Sequence, residues 1–220
     1  MIPIPNEILN DATALAMNLG IRIFQGARLA PTDKGHVAEL LRYMRPPAGS
    51  LISDIGSGIG EVARLMRLQR PDIDFVLINK NARQLSHSPM EFQTILADMH
   101  DIPVWDSMFD GAMFCYSLCH GDFPIALREA ARVTRFGGFL FVYDYERMHG
   151  DNVAFQQSLF ARAISRLQMT QYAAEVGWRI NEWHTPKADD TPFREAFDND
   201  EGYNAIFGDL RVCVWRAMRG

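Results

Sequence analysis

The sequence lacks several features that mark specialised classes of protein. It has no apolar run of about 18 residues, which a membrane-spanning helix requires, and its N-terminus has no basic stretch before an apolar one. Lysine and arginine do not cluster and the formal net charge is −5, which disfavours a dedicated nucleic-acid surface. The three cysteines lack the spacing of a disulfide framework. We therefore expect a cytoplasmic protein with reduced thiols, no membrane insertion and no nucleic-acid partner.

What the sequence has is an alternation of predicted strands and helices. Its 220 residues, 48% of them hydrophobic, suffice for one domain with a sizeable core. Such alternation is typical of a parallel sheet covered by helices on both faces. The last two strands predict an antiparallel hairpin, and 186–209 is the least regular segment. The predicted strands are 51–55, 75–78, 93–96, 109–115, 139–143, 178–183 and 210–217. The predicted helices are 5–19, 33–44, 60–70, 122–133 and 154–176, with a short one starting at 83.

A glycine-rich turn follows the first predicted strand. Asp54 ends the strand, and Gly56, Ser57, Gly58 and Gly60 lead into the next helix. Glycines in such a turn adopt positive φ and let a ligand approach bare backbone. An ordinary tight turn is the alternative, but the position after the first strand favours a cofactor site.

The residue after this turn indicates which cofactor it would hold. The dinucleotide fingerprint needs a third glycine where this chain has Glu61. A carboxylate there disfavours a pyrophosphate, which binds at a helix N-terminus. A cofactor with a cationic centre and no phosphates tolerates the acid, and S-adenosylmethionine is the common one.

Polar residues follow the next two strands. Asn79 ends the second strand, where such sites usually have an acid, and its amide carbonyl can accept a ribose hydroxyl. Asp98 and Met99 follow the third strand, where a side-chain acceptor can take the adenine amino group.

Over 49–145 the order of these motifs, completed by the stretch RVTRFGGFLFVYDY, resembles the class I S-adenosylmethionine-dependent methyltransferases. The resemblance implies an α/β, Rossmann-like fold with a seven-stranded mostly parallel sheet, one antiparallel edge strand and extra N-terminal helices. We expect a single domain over 1–220, with a helical lid or substrate region in 1–48 and the cofactor-binding core in 49–220. Gln25 lies where that family places residues that close over the cofactor.

Three short segments resemble the sterol C-methyltransferase branch and its terpenoid relatives. They are INKN at 78–81 with Gln84 after it, YSLCH at 116–120, and YDY at 143–145. The resemblance implies methylation of an alkene carbon in an isoprenoid. This chain has Tyr116 where the family has a glutamate, and it is shorter, so a terpenoid or prenyl diphosphate is favoured over a sterol.

Methylation of an alkene produces a carbocation, which aromatic faces can stabilise and a base must then deprotonate. We assign the base to His120 or Asp144, with Glu146 as a further candidate. The candidate aromatic faces are Phe24, Tyr116, Phe123, Tyr143 and Tyr145. The alternatives are that Tyr143 is a core aromatic and that His120 serves as a helix cap or loop residue. The predicted cofactor-binding residues are Asp54, Gly56, Ser57, Gly58, Gly60, Asn79, Lys80, Gln84, Asp98, Met99, Tyr116 and Gln25.

Other functions stay open at this stage. Methylation at oxygen or nitrogen of another small metabolite would use the same cofactor site, and a cofactor-fold protein without catalysis is a third possibility. Cys115, Cys119 and His120 lack the spacing of a zinc site, so no metal held by the protein is expected, although Mg²⁺ could arrive with a diphosphate. A small-molecule substrate is expected, and a homo-oligomer is possible.

Overall fold

We describe the fold from a computed structural model, in which residues 34–186 and 200–220 are described. The predicted helix 5–19, Phe24 and Gln25 lie outside these residues. Among the described residues, no helix combines the length and the apolar character needed to cross a bilayer.

Seven strands form one sheet, as predicted. In chain order they are β1 (Leu51–Ile55), β2 (Asp74–Asn79), β3 (Gln93–Leu96), β4 (Phe109–Cys115), β5 (Thr134–Arg147), β6 (Trp178–His184) and β7 (Leu210–Arg219). Their order across the sheet is β3-β2-β1-β4-β5-β7-β6. The pairs among β1 to β5 are parallel, and β7 runs antiparallel between β5 and the edge strand β6.

Helices cover both faces of this sheet. They are α1 (Lys34–Met44), α2 (Glu61–Gln69), α3 (Ala82–Leu85), α4 (Phe123–Val133), α5 (Val153–Leu159), α6 (Arg166–Glu175) and α7 (Asp200–Phe207), with a 3-10 turn at Leu118–His120. Because side chains alternate along a strand, Phe114 and Val142 pack in the cluster with α4, while Met113 and Phe141 pack in the cluster with α1 and α2. The Rossmann-like α/β class is therefore confirmed.

The structure differs from the sequence-based prediction in two segments. The predicted helix 154–176 is two helices, because Phe160 has a left-handed backbone (φ 50) and Ser165 starts a new helix in a capping box with Gln168. The segment predicted to be least regular contains α7 in its described part.

Helix α1 is fastened to the last two strands. The guanidinium of Arg216 donates to the carbonyl oxygen of Met44 at 2.9 Å, and the rings of Tyr43 and His184 stack with centroids 4.5 Å apart. Arg45, after the helix, forms an ion pair with Glu182. The described part of the N-terminal region thus packs on the β6 and β7 side of the sheet.

The topology places one crevice above the sheet. The carboxyl ends of β1 to β5 lie at one edge, and the strand order reverses between β1 and β4. Ligands of open α/β sheets bind outside the carboxyl ends of the strands at such a switch point. The glycine turn after β1 and the loop after β4 both lie there.

Candidate functional site

The three glycines of the turn differ in how much space a side chain would have. Gly56, Gly58 and Gly60 have φ of 75, 59 and 77°. A Cβ on Gly56 would lie 2.4 Å from Ser117 Cβ, and one on Gly60 would lie 2.4 Å from Leu77 Cδ1. A Cβ on Gly58 would meet no atom within 4 Å. Gly56 and Gly60 therefore permit close packing, whereas Gly58 borders open space that a ligand can use.

Ser57, between these glycines, has a hydroxyl oxygen that is buried and has no hydrogen-bond partner among the described groups. A buried polar atom without a partner is costly. A polar group of a ligand lying along the turn would satisfy it, so the turn is suited to a cofactor with polar groups such as S-adenosylmethionine.

Asn79 connects the turn to the next element. Its side chain is buried, and its Nδ2 donates to the carbonyl oxygen of Gly58 at 3.2 Å and to Gln84 Oε1 at 2.6 Å. Both bonds use the amide nitrogen, so the ribose interaction predicted for Asn79 concerns its other atom, Oδ1. Gln84 is buried and Lys80 is exposed. Asn81, which belongs to the INKN segment, is the N-cap of α3, and its side chain accepts hydrogen bonds from the N–H groups of Arg83 and Gln84.

The loop after β3 is tied to the loop after β4 through a histidine that sequence reasoning missed. His100 Nδ1 lies 2.6 Å from Asp98 Oδ1, and its Nε2 accepts from the backbone N–H of Asp122 at 2.8 Å. This pair of contacts fixes the proton on Nδ1. Met99 packs against Gly121: a Cβ added to Gly121 would lie 2.4 Å from the sulfur of Met99. The predicted adenine-binding residues are therefore held against the acceptor-side loop.

Glu61, which decided against a dinucleotide, is itself paired. Its carboxylate receives two hydrogen bonds from Arg64, at 2.7 and 2.6 Å. The ion pair reduces the negative charge that Glu61 presents at the turn. The absence of a third glycine therefore argues more strongly against a dinucleotide cofactor than the charge of Glu61 does.

Two carboxyl groups are buried beneath the crevice. Asp54 on β1 is 2% exposed, and burial raises its pKa to about 7. Asp144 on β5 is 1% exposed, and burial raises its pKa to about 6, opposed by the backbone N–H groups of Tyr145 and Cys119. A bound cation would favour the ionised form of either group, which fits a cofactor with ammonium and sulfonium groups.

Five aromatic rings cluster at the carboxyl ends of β4 and β5. Tyr116 lies 4.6 Å from Tyr143 and 5.1 Å from Tyr145, measured between ring centroids, and Tyr145 lies 5.3 Å from Phe155 and 5.4 Å from Phe207. The sequence placed the three tyrosines together but missed the phenylalanines, because Phe155 and Phe207 come from distant helices. We call these five residues the aromatic cluster.

Tyr116 has a backbone that tyrosine rarely adopts. Its φ is 51°, in the left-handed region, and its N–H donates to the carbonyl oxygen of Tyr143 at 2.8 Å. Non-glycine residues in this region are rare and concentrate at functional sites. Burial raises the pKa of the Tyr116 hydroxyl well above its ordinary value, so it stays neutral and acts as a ring and a hydrogen-bonding group.

His120 borders a cavity of about 270 Å³ between the loop after β4 and the segment that joins α5 to α6. Asp122, Gln156, Phe160 and Arg162 also line it. Asp122 is the N-cap of α4, as the sequence suggested. The guanidinium of Arg162 lies over the ring of Phe123, 5.6 Å from its centroid. A cavity beside the predicted base is where an acceptor molecule could lie.

The described residues contain no group of three or more His, Cys, Asp and Glu side chains that could hold a metal ion. The three cysteines are free, and burial raises the thiol pKa of Cys115, Cys119 and Cys213 well above the ordinary value. These thiols are therefore protonated and unreactive.

Comparison with known proteins agrees with this geometry. Residues 53–142 match the family model described as a methyltransferase domain. An O-methyltransferase of Pyrenophora dematioidea is 28% identical over 160 residues, which cover 66% of this chain and 60% of that protein. A 25S rRNA adenine N(1)-methyltransferase of Schizosaccharomyces pombe is 26% identical over 121 residues, covering 53% and 33% respectively. The chain therefore matches less than two thirds of each relative's length.

Among solved structures, the geranyl diphosphate C-methyltransferase of Streptomyces coelicolor A3(2), in complex with Mg²⁺, geranyl diphosphate and S-adenosyl-L-homocysteine, has the same fold. The TM-score is 0.74 at 13% identity, over 99% of this chain and 89% of that one. The match over residues 53–142 and the shared fold support the prediction of an S-adenosylmethionine-dependent methyltransferase. The individual site residues and the division into a lid (1–48) and a core (49–220) stay predictions.

Gly58 provides a direct test of where the cofactor lies. Asparagine tolerates left-handed backbone, so Gly58→Asn should cost about 1 kcal/mol of stability or less. Its side chain would fill the open space at the turn, and we expect the affinity for S-adenosylmethionine to fall at least about tenfold. The measurement is calorimetric titration beside thermal unfolding. Gly137→Asn is the matched control, because Gly137 also has positive φ (70°) and open space, but lies near the start of β5, at the opposite edge of the sheet. Normal binding by Gly58→Asn would refute this placement.

Asp54 provides a test of the buried charge. Its pKa in the folded protein, about 7, lies above the ordinary aspartate value of 3.8. Ionisation of Asp54 therefore lowers the free energy of unfolding as the pH rises from about 4 to 7, by up to about 4 kcal/mol. The wild type should therefore lose unfolding free energy relative to Asp54→Asn as the pH rises across this window. The same change should weaken binding of the cationic cofactor above pH 7. Denaturant unfolding at pH 5 and 8 with cofactor titration checks both, and a stability difference independent of pH would contradict the assignment.

Proposed function

We propose that the protein is an S-adenosylmethionine-dependent methyltransferase that methylates an alkene carbon of a small isoprenoid. The observation that carries the proposal is the aromatic cluster, whose Tyr116 precedes Ser117, the residue that packs on Gly56, in the loop that leads to His120. An apolar alkene needs such surroundings, whereas a charged or strongly polar acceptor would lose its hydration there.

The cofactor residues have the roles that their positions suggest. Gly58 and Ser57 would lie along the methionine and ribose part, Asn79 Oδ1 would accept a ribose hydroxyl, and Asp98 would accept the adenine amino group. Both described contacts of Asp98 use Oδ1. The ionised form of Asp54 would favour the positive charge of the cofactor. When bound, the cofactor supplies an electrophilic methyl group.

The remaining residues would act on the acceptor. The alkene π electrons form the new bond to the methyl carbon as the carbon–sulfur bond breaks, and the adjacent alkene carbon becomes cationic. Tyr116 and Tyr145 are half-buried, and their ring faces would stabilise the cation by about 0.5 to 2 kcal/mol each. Tyr143 is fully buried in the core behind them, so it acts as a core aromatic that supports Tyr116 rather than as a contact of the acceptor. His120 accepts the proton whose loss restores a double bond. Alignment of donor and acceptor supplies most of the acceleration.

The cavity beside His120 suggests where the polar end of the acceptor lies. Arg162 is a donor suited to a phosphate or carboxylate oxygen, and Phe160 and Ala161 supply apolar wall. A prenyl diphosphate would bring Mg²⁺ bound to its own oxygens, as the described residues offer no metal cluster. The neighbour of the same fold that carries Mg²⁺ and geranyl diphosphate is consistent with this substrate class.

Methylation at oxygen or nitrogen is the second candidate. The O-methyltransferase and the adenine N-methyltransferase among the sequence relatives favour it. His120 beside the cavity is equally able to remove the proton of a hydroxyl. The aromatic cluster is the feature that this alternative leaves without a role.

A labelling experiment separates the candidates. The protein is incubated with methyl-labelled S-adenosylmethionine and a panel of prenyl diphosphates with and without Mg²⁺, free prenols, sterols, phenols, amines and an adenine-containing RNA. We expect label on carbon in a prenyl product. Label on oxygen or nitrogen supports the second candidate, and binding of the cofactor without any transfer supports a non-catalytic protein.

Substitution of Tyr145, at the centre of the aromatic cluster, tests whether a ring stabilises a carbocation during the reaction. Tyr145→Leu removes the ring and should lower kcat about 2- to 30-fold, which corresponds to the loss of one cation–π contact. Tyr145→Phe is the matched control because it keeps the ring, and it should retain nearly full turnover. Steady-state kinetics with the product-forming acceptor make the measurement. Equal effects of both changes would point to the hydroxyl and away from a carbocation.

A further inference from the structure

Asp144 was predicted as a base, but its carboxylate is directed at backbone. Its Oδ2 accepts from the N–H of Cys119 at 2.9 Å and its Oδ1 from the N–H of Tyr145 at 2.8 Å. The backbone of Leu118 and the thiol of Cys119 also lower the pKa of this carboxyl, against the effect of burial. Leu118 and Cys119 belong to the 3-10 turn that ends at His120.

A carboxylate that accepts several hydrogen bonds and is 1% exposed is poorly suited to collect a proton from a substrate. A general base must reach that proton directly or through one water. Each oxygen of Asp144 accepts a hydrogen bond from a backbone N–H, whereas His120, at the end of the same turn, borders the cavity.

The same turn is fixed at two other points. Ser117 Oγ donates to the carbonyl oxygen of Ile55 at 2.6 Å, which ties the start of the turn to the end of β1. The N–H of Arg162 donates to the carbonyl oxygen of Cys119 at 2.7 Å. Asp144 is the only charged side chain among these three anchors, and it contacts the middle of the turn.

We propose that Asp144 is a positioning residue, whose carboxylate fixes the backbone of Leu118 and Cys119 and thereby sets the place of His120 relative to the cavity. Only the expected effect of Asp144 on turnover rests on the proposed function. The anchoring itself is a property of the protein that can be measured without any methyl transfer.

The first experiment measures anchoring directly. Amide hydrogen exchange and the imidazole NMR resonances of His120 are compared in the wild type, Asp144→Asn and Glu146→Gln. In Asp144→Asn an amide replaces one acceptor oxygen by a donor, so we expect the Leu118 and Cys119 amides to exchange at least about tenfold faster and the His120 resonances to shift. Glu146→Gln is the matched control: Glu146 is a buried acid two residues further along β5, but its carboxylate pairs with Arg211 at 2.8 Å. It should leave both readouts unchanged.

The second experiment separates positioning from proton transfer. If Asp144 positions His120, Asp144→Asn lowers kcat about 10- to 100-fold, changes cofactor affinity little, and keeps the ionisation seen in the wild-type pH profile of kcat. If Asp144 is the base, that ionisation disappears from the profile. Unchanged amide exchange, or loss of the ionisation, overturns the proposal.

A milder variant covers the case in which Asp144→Asn does not fold. Cys119→Ala removes only the thiol donor to the carboxylate, and it should give the same exchange and resonance pattern at smaller size. No change in either readout would count against the anchor. Absence of methyl transfer by the wild type would instead sink the proposed function, while the exchange and NMR results would still decide the anchoring.

Discussion

The contact between Gly56 and Ser117 holds the two halves of the site together. Ser117 lies where a side chain on Gly56 would be, and its hydroxyl donates to Ile55, the last residue of β1. This close approach joins the glycine turn to the loop after β4 at the point where the strand order reverses. The open space beside Gly58, the strained backbone of Tyr116 and the turn with His120 all take their positions from it.

Burial of charge is the second constraint on the site. Asp54 and Asp144 lie beneath the crevice with almost no exposure, and both have raised pKa values because burial disfavours their ionised forms. The two acids differ in how they are compensated. Asp144 receives backbone hydrogen bonds, whereas burial alone raises the pKa of Asp54 and no described residue compensates its charge, so Asp54 would gain most from a cationic ligand. A site built for a positive centre accepts this cost in the free protein.

Local patterns predicted the fold well because each depends on neighbours in sequence. The strands, the glycine turn and the N-cap at Asp122 follow from periodicity, positive φ and side-chain capping. The helix predicted over 154–176 was wrong in one respect, since the capping box at Ser165 starts a second helix. Helical periodicity alone does not detect a break whose cause is a left-handed residue such as Phe160.

The sequence by itself determined the class of the fold, the order of its elements and the place of the glycine turn, because those depend on spacing along the chain. Only the tertiary structure decided which atoms face the site. It turned the amide nitrogen of Asn79 toward Gly58 and Gln84, joined Asp98 to Asp122 through His100, and directed Asp144 at the backbone of the loop after β4. It also brought Phe155 and Phe207 to Tyr145. These outcomes depend on packing between segments far apart in sequence, which no local pattern records.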